Sequence, residues 1–333
     1  MDKRALGKDG IATSAIGLGC MGMSGMYGPA DRAESIATIH AALDAGVVLL
    51  DTGDFYGAGH NELLIAEALR GVPRDSYQLS VKFGNLRGPD GAIIGNDSRP
   101  KSLRNFLAYS LQRLGTDYID IYRPSRLDHE VPIEDTIGAM ADLVKGGFIR
   151  HIGLSEVGAA TLRKAAAVHP ISDLQIEYSL ISRGIEDDIL PAARELGIGV
   201  TAYGVLARGL ISGHWRKDAA ASNDMRTKTP RFAAGNVDAN LQLVEALRVL
   251  AESRGVSVAQ VAIAWVLHQG DDIVPVVGSR KRDQLVEALG SLDVTLSADD
   301  LASIEQAVPA DAAAGARYPE AALKMMDSEA KAG

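Results

Sequence analysis

Leu49-Leu50-Asp51-Thr52-Gly53-Asp54-Phe55-Tyr56-Gly57 decides the reading of this chain once it is set beside Leu79-Ser80-Val81-Lys82, one strand–helix unit later. Each stretch is an apolar strand that ends on an ionisable residue. In a closed barrel of parallel strands such ends converge on the face that carries chemistry, which brings Asp51, Tyr56 and Lys82 within reach of one another. Their chemistry is complementary. A tyrosine hydroxyl is a poor acid near neutral pH. A buried ammonium beside it favours the phenolate, and a carboxylate behind the lysine keeps the ammonium charged. Taken singly, Asp51 reads equally well as a helix cap, Lys82 as a solvated strand end and Tyr56 as packing; the conjunction is what points to a general acid.

Outward from this stretch the same unit repeats. An Asp-Gly pair in Lys8-Asp9-Gly10 suits a tight hairpin between the segments at 4–7 and 11–13. Ala15-Ile16-Gly17-Leu18-Gly19 reads as the first barrel strand. It completes a formal G-x-G-x-x-G with Gly22, but a Met- and Gly-rich loop follows where a dinucleotide fold needs a helix, so a Rossmann site is rejected. Helices are expected at 32–45, 61–70, 101–114, 133–145, 159–168, 187–196 and 258–267, with strands at 47–50, 78–81, 119–122, 151–154, 174–176, 199–202 and 273–276. Apolar, β-branched strands fit burial on both faces. Two segments exceed the repeat: a long connection at 204–236 before an extra helix at 237–254, and an Ala-rich tail at 309–333 with a short helix expected at 319–326. Unbroken alternation favours a single domain over 1–333.

Composition narrows the class. A formal charge of −9 with dispersed Lys and Arg argues against a nucleic-acid surface. Cys20 is the only cysteine, so no intrachain disulfide and no thiolate metal cluster is expected, and the seven histidines show no paired ligand spacing. The amino-terminal residues do not read as a secretory signal and no apolar run spans a membrane; a cytoplasmic enzyme is the expectation, with oligomeric state unassigned.

The run from Asp51 to Gly57, followed by Asn61-Glu62 and Lys82, resembles the active-site pattern of the aldo-keto reductases, and the resemblance extends from Arg4 to about Val308. It implies a (β/α)8 TIM barrel with an amino-terminal hairpin plugging its bottom, extra carboxy-terminal helices, and hydride transfer from a nicotinamide cofactor to an aldehyde or ketone. Gly278-Ser279-Arg280, at the end of the last strand and opening a helix, reads as an anion site of the sort that barrels use for phosphate, with a solvated basic helix start as the alternative. By resemblance Gly278, Ser279, Arg280 and Gln284 hold the adenosine 2′-phosphate with Glu287 near the adenine, which favours NADPH over NADH. Ser155 and Gln175 would bind the carboxamide and Tyr203 would stack on the nicotinamide ring. The loop with Gly204, Leu206, Arg208 and Gly209 would reach the pyrophosphate, folding over the cofactor. In the family the tail lines the substrate pocket; a frayed end is the alternative.

Two positions depart from the family pattern. Where most members carry a catalytic histidine at the end of the fourth strand, Tyr122-Arg123-Pro124-Ser125-Arg126 places Ser125, and His129 lies too late to replace it. Ser125 donates one hydrogen bond, and Arg123 or Arg126 would add positive charge if either points into the barrel mouth; structural ion pairs are the alternative. Glu156 stands where many members have Asn, and no role is assigned to it. Aromatic and Met residues of the loops, among them Met23, Tyr27, Phe83 and Trp215, are candidate pocket walls. The expected activity is NADPH-dependent reduction of a ketone or aldehyde; the alternative is an NADPH-binding regulatory or redox-sensing protein with little turnover.

Overall fold

The computed structural model describes residues 1–216 and 224–330. Part of the expected loop, 217–223, and the tail end, 331–333, lie outside the described residues. In chain order come β1 (Lys3–Ala5), β2 (Ala12–Ser14), β3 (Gly17–Gly19), α1 (Arg32–Asp44), β4 (Leu49–Gly53), α2 (His60–Ala68), β5 (Gln78–Phe83), β6 (Asn85–Arg87) and β7 (Ile93–Asn96). Then follow α3 (Pro100–Leu114), β8 (Ile119–Pro124), α4 (Ile133–Lys145), β9 (Ile149–Ser155), α5 (Ala159–Ala166), β10 (Asp173–Glu177), α6 (Ile189–Leu196) and β11 (Gly199–Tyr203). The chain ends with α7 (Asn236–Ser253), α8 (Val258–His268), β12 (Ile273–Gly278), α9 (Arg282–Leu289), α10 (Ala298–Ala307) and α11 (Glu320–Leu323).

Strands β3, β4, β5, β8, β9, β10, β11 and β12 close into a barrel, and every barrel pair is parallel. This is the (β/α)8 TIM barrel. Three α-helix starts carry side-chain caps: Asp31 accepts from the Glu34 amide at α1, and Ser257 with Gln260 and Ser297 with Asp300 form reciprocal capping boxes at α8 and α10. Among the described residues no single helix is long and apolar enough to cross a membrane.

The amino-terminal hairpin β1–β2 is present, but its strands pair from Lys3 with Ser14 to Ala5 with Ala12, so the loop is longer than a two-residue Asp-Gly turn. Leu6 from that loop packs on Leu49, Ile121 and Val274, closing the bottom of the barrel with an apolar layer. Period-two alternation then puts the next inward residues one layer higher: Asp51 on β4, Ser80 and Lys82 on β5, Arg123 on β8, Asp173 and Gln175 on β10. A polar layer therefore sits directly above an apolar one.

Three expectations are corrected. A second hairpin, β6–β7, follows β5 with Ile93 and Ile94 exposed near its turn; no elements were expected there. The tail helix is one short turn, Glu320–Leu323, rather than a helix over 319–326. Phe83 and Met23 are core rather than pocket wall, Phe83 stacking on Tyr122 with centroids 4.4 Å apart.

Candidate active site

The register of the barrel assembles the polar layer. Gly53 lies beside Lys82 and Asp51 beside Ser80, while Lys82 lies beside Arg123 on the next strand. Lys82 Nζ donates to Asp51 Oδ1 at 2.5 Å and to Gln175 Oε1 at 2.8 Å. Asp51 Oδ2 accepts from Ser80 Oγ at 2.7 Å, Gln175 Nε2 at 2.7 Å and Arg123 Nη1 at 3.2 Å. Burial opposes ionisation of Asp51, yet Lys82 and Arg123 hold it below the usual carboxylate range. Burial pushes Lys82 down, Asp51 pulling the other way. The two partners share one compensated charge pair at the barrel mouth.

Tyr56, from the turn after β4, is buried above this pair, with Lys82 Nζ 5.2 Å from its ring centroid. The expected electrostatics need correction here. Burial, then the negative charge of Asp51, raise the phenol well above its ordinary value, and Arg126 is the cation that lowers it. Lys82 is neutralised by Asp51 at hydrogen-bond distance, so its charge does not dominate at the phenol.

Arg123 does not face the mouth. It is fully buried, pairs with Asp173 at 2.7 and 2.9 Å and donates to Ser80 Oγ at 2.7 Å. Thr201 Oγ1 donates to Asp173 at 2.5 Å. Gly153 makes this pair possible: a Cβ there would collide with Asp173 Oδ1 and lie 2.8 Å from Arg123 Nε. Arg126 is half-buried, donates to the Ser125 carbonyl at 2.6 Å, and among the described residues has no carboxylate within ion-pair distance. Ser125 is buried, its amide donates to the Phe83 carbonyl at 2.8 Å, and its Oγ has no hydrogen-bond partner among the described residues.

The residues expected around a dinucleotide divide into two groups. Ser155 Oγ, at the end of β9, and Ser279 Oγ, just beyond β12, are buried without partners among the described residues. Buried hydroxyls are rarely left unpaired, and a carboxamide and a phosphate are groups that would satisfy these two, so the donor set fits a nicotinamide dinucleotide. Gly204 and Gly209 adopt left-handed backbone with φ 66 and 92, turning the chain after β11. Other members are engaged within the protein. Gln175 bonds both partners of the Asp51–Lys82 pair. Arg280 Nη1 donates to the carbonyls of Tyr27, Gly28 and Pro29, while the Arg280 amide donates to Gln284 Oε1 at 3.2 Å. Glu287 meets His214 Nε2 at 2.8 Å, tying the long loop to α9. Leu206 is partly buried against the core.

Sequence reasoning singled out Glu156 without a role and missed Arg317 and Tyr318 of the tail. Glu156 is fully buried and accepts from Arg317, while Tyr318 Oη lies within hydrogen-bond distance of Tyr203 Oη. The available signal was an Arg-Tyr pair alone in an Ala-rich tail. Asp54 was also passed over; burial, then Glu62, raise its carboxyl to about 7.

Fold and site together define a barrel enzyme that gathers acid–base groups at the carboxyl ends of its strands. The sequence profile of the aldo/keto reductase family matches residues 15–309. A probable aldo-keto reductase 1 of Glycine max is 42% identical over 316 residues, covering 94% of this chain and 90% of the relative. Among solved structures, the glycerol dehydrogenase AKR11B4 of Gluconobacter oxydans superposes with a TM-score of 0.82 at 30% identity, covering 92% of this chain and 94% of that one. The thermostable aldo-keto reductase Tm1743, solved with the inhibitor epalrestat, gives a TM-score of 0.73 at 26% identity over 92% and 100% of the two chains. The chain belongs to the aldo/keto reductase family. Membership makes it an oxidoreductase of carbonyl compounds, in a family that generally uses a nicotinamide cofactor.

Proposed function

We propose that the protein is an NADPH-dependent reductase that converts a ketone or aldehyde to an alcohol, with Tyr56 as general acid. The observation that carries this reading is the Asp51–Lys82 pair at 2.5 Å beneath a buried Tyr56. The cofactor, when bound, supplies hydride to the carbonyl carbon. Tyr56, kept protonated by burial and by Asp51, delivers its proton to the carbonyl oxygen as negative charge develops there. Asp51 fixes the Lys82 ammonium, and Gln175 orients both. Ser125 Oγ, buried with its hydrogen-bonding capacity unused, donates to the same oxygen, and Arg126 adds positive charge where the family histidine would act. Ser155 and Ser279 hold the carboxamide and a phosphate, and Tyr203, Gly204, Leu206, Arg208 and Gly209 line the path between. Gly278, Arg280, Gln284 and Glu287 complete the adenosine end, with Arg280 exchanging loop carbonyls for the 2′-phosphate.

The test is loss of nicotinamide absorbance when purified protein and NADPH meet a panel of aldehydes and ketones, with Tyr56→Phe alongside. The panel includes small polyol-derived carbonyls because of the likeness to a glycerol dehydrogenase. Oxidation by wild type, lost in the variant, is the expected result; equal rates with every substrate would sink the assignment of Tyr56. Tight NADPH binding without turnover of any substrate would favour the regulatory reading.

A further inference from the structure

Glu156 follows Ser155 at the carboxyl end of β9 in left-handed backbone, φ 54, a region that L side chains other than Asn and Asp seldom adopt. Glycine would hold this turn without strain. The sequence places a fully buried carboxylate there instead, and the carboxylate is saturated. Its Oε1 accepts from the Glu177 amide at 3.0 Å, Tyr203 Oη at 2.7 Å and Arg317 Nη1 at 3.1 Å. Its Oε2 accepts from Arg317 Nη2 at 2.6 Å and Ser328 Oγ at 2.7 Å. The Glu156 carbonyl takes the Ser328 amide at 3.2 Å, and the Gly158 amide donates to Asp327 Oδ2 at 2.7 Å. Strain and desolvation at one residue are thus offset by bonds that arrive largely from the tail.

The tail delivers more than a counter-ion. Tyr318 Oη lies 3.0 Å from Tyr203 Oη, and the Arg208 guanidinium sits 4.3 Å from the Tyr318 ring centroid while Arg208 Nη1 donates to the Arg317 carbonyl at 3.0 Å. Tyr318 therefore stands between two residues of the proposed cofactor lining. Resting on the reductase reading, we propose that Glu156 is a positioning residue: by locking Arg317 it seats Tyr318 against Tyr203 and Arg208 and fixes both in the geometry that takes the dinucleotide. The tail is then a working wall of the cofactor site.

The experiment uses full-length wild type, Glu156→Gln, Arg317→Lys and Tyr318→Phe, with two readouts that need no turnover. Trypsin cleavage after position 317 reports the latch, and quenching of tryptophan fluorescence by NADPH reports affinity. Glu156→Gln is expected to be cut after Arg317 at least about tenfold faster and to bind NADPH about tenfold more weakly, having lost a buried charge partner. Arg317→Lys keeps the charge, and a trypsin site, without the planar fork; cleavage after the substituted position is again faster than in wild type and affinity falls about threefold to tenfold, which serves if Glu156→Gln does not fold. Tyr318→Phe keeps wild-type protection and loses about threefold in NADPH affinity, the modest effect of one hydroxyl contact. Unchanged cleavage in both latch variants would overturn the latch. Faster cleavage with wild-type NADPH affinity would reduce it to a structural tie and overturn the positioning role. Wild type that binds no NADPH would overturn the cofactor reading and this inference with it, an outcome distinct from the other two.

Discussion

Arg123→Met tests whether the polar layer is built as an ion-pair network rather than as part of the oxyanion machinery. Arg123 and Asp173 are both fully buried and share two hydrogen bonds of 2.7 and 2.9 Å. Met fills similar volume but leaves Asp173 with Thr201 Oγ1 alone among its side-chain partners here, and Asp51 loses a contact at 3.2 Å. Breaking a buried pair from one side typically costs about 3–5 kcal/mol, because the remaining charge is uncompensated. At roughly 2–3 °C per kcal/mol for a chain of this size, the melting temperature should fall by roughly 6–15 °C. Adding Asp173→Asn removes the orphaned charge, so the double variant should recover at least half of the loss. Thermal unfolding followed by circular dichroism reads both, at pH 7 and matched protein concentration. A single variant within about 1 kcal/mol of wild type, or a double variant as unstable as the single, would refute the reasoning.

Gly153→Ala should lower stability by about 1–3 kcal/mol in the same melts, since its Cβ runs into Asp173 Oδ1 and the buried pair has no room to retreat. Asp54→Asn should change how stability depends on pH. The carboxyl rises in the fold from 3.8 to about 7, so protonation is favoured by folding, and stability that is fully present below about pH 4 is lost as pH rises to about 7, by at most about 4 kcal/mol. The variant-minus-wild-type difference from urea melts should therefore grow between pH 4 and 7 and level off above, and a pH-independent difference would contradict this. Arg126→Gln should cut kcat with NADPH by about 100-fold yet leave the melting temperature nearly unchanged, because its guanidinium bonds the Ser125 carbonyl and no carboxylate among the described residues; loss of stability without loss of rate would assign it to structure.

How much of this was legible depends on the range over which each feature is determined. The barrel was, because its strands carry local apolar runs and α1, α8 and α10 carry their own side-chain caps, and closure adds only the order of neighbours. The meeting of Asp51 with Lys82 was legible for the same reason, both standing at strand ends on adjacent units. The hairpin β6–β7 had a local signal, Gly88-Pro89-Asp90-Gly91 between two short runs, that was passed over. Glu156 was marked only as a departure, and nothing near it gave its role: its partners Arg317 and Ser328 are 161 and 172 residues away, and only the folded tail brings them to β9. The role of Arg123 lay between these cases. It shares the inward period of Ile121 on β8, which marks it as interior, but whether an interior arginine faces a substrate or an aspartate depends on β10, two strands away in the barrel.

The Tyr56 phenol shows how residues that the fold does bring together can still carry the wrong electrostatic argument. A lysine lowers a neighbouring phenol only by the charge left after its other partners are counted, and Asp51 takes Lys82 at 2.5 Å while itself acting on Tyr56 as a negative charge. In a barrel mouth dry enough to bury Tyr56, desolvation adds to that effect. The result suits a proton donor, which must hold its proton until the substrate oxygen gains charge, and it shifts the demand for positive charge to another group. Arg126 fits that demand: it is a nearby cation that opposes the rise at Tyr56, and it bonds the carbonyl of its backbone neighbour Ser125, which by resemblance stands where the family histidine is expected. On the proposed reading, a charge one residue away takes the histidine's part together with the serine, so the serine and arginine should be replaced together before the strand end is judged dispensable. If Ser125→Ala and Arg126→Gln each slow NADPH oxidation but the double variant slows it no further than the worse single, the two act as one unit on one oxygen; fully additive losses in ΔΔG‡ would place them on different parts of the substrate.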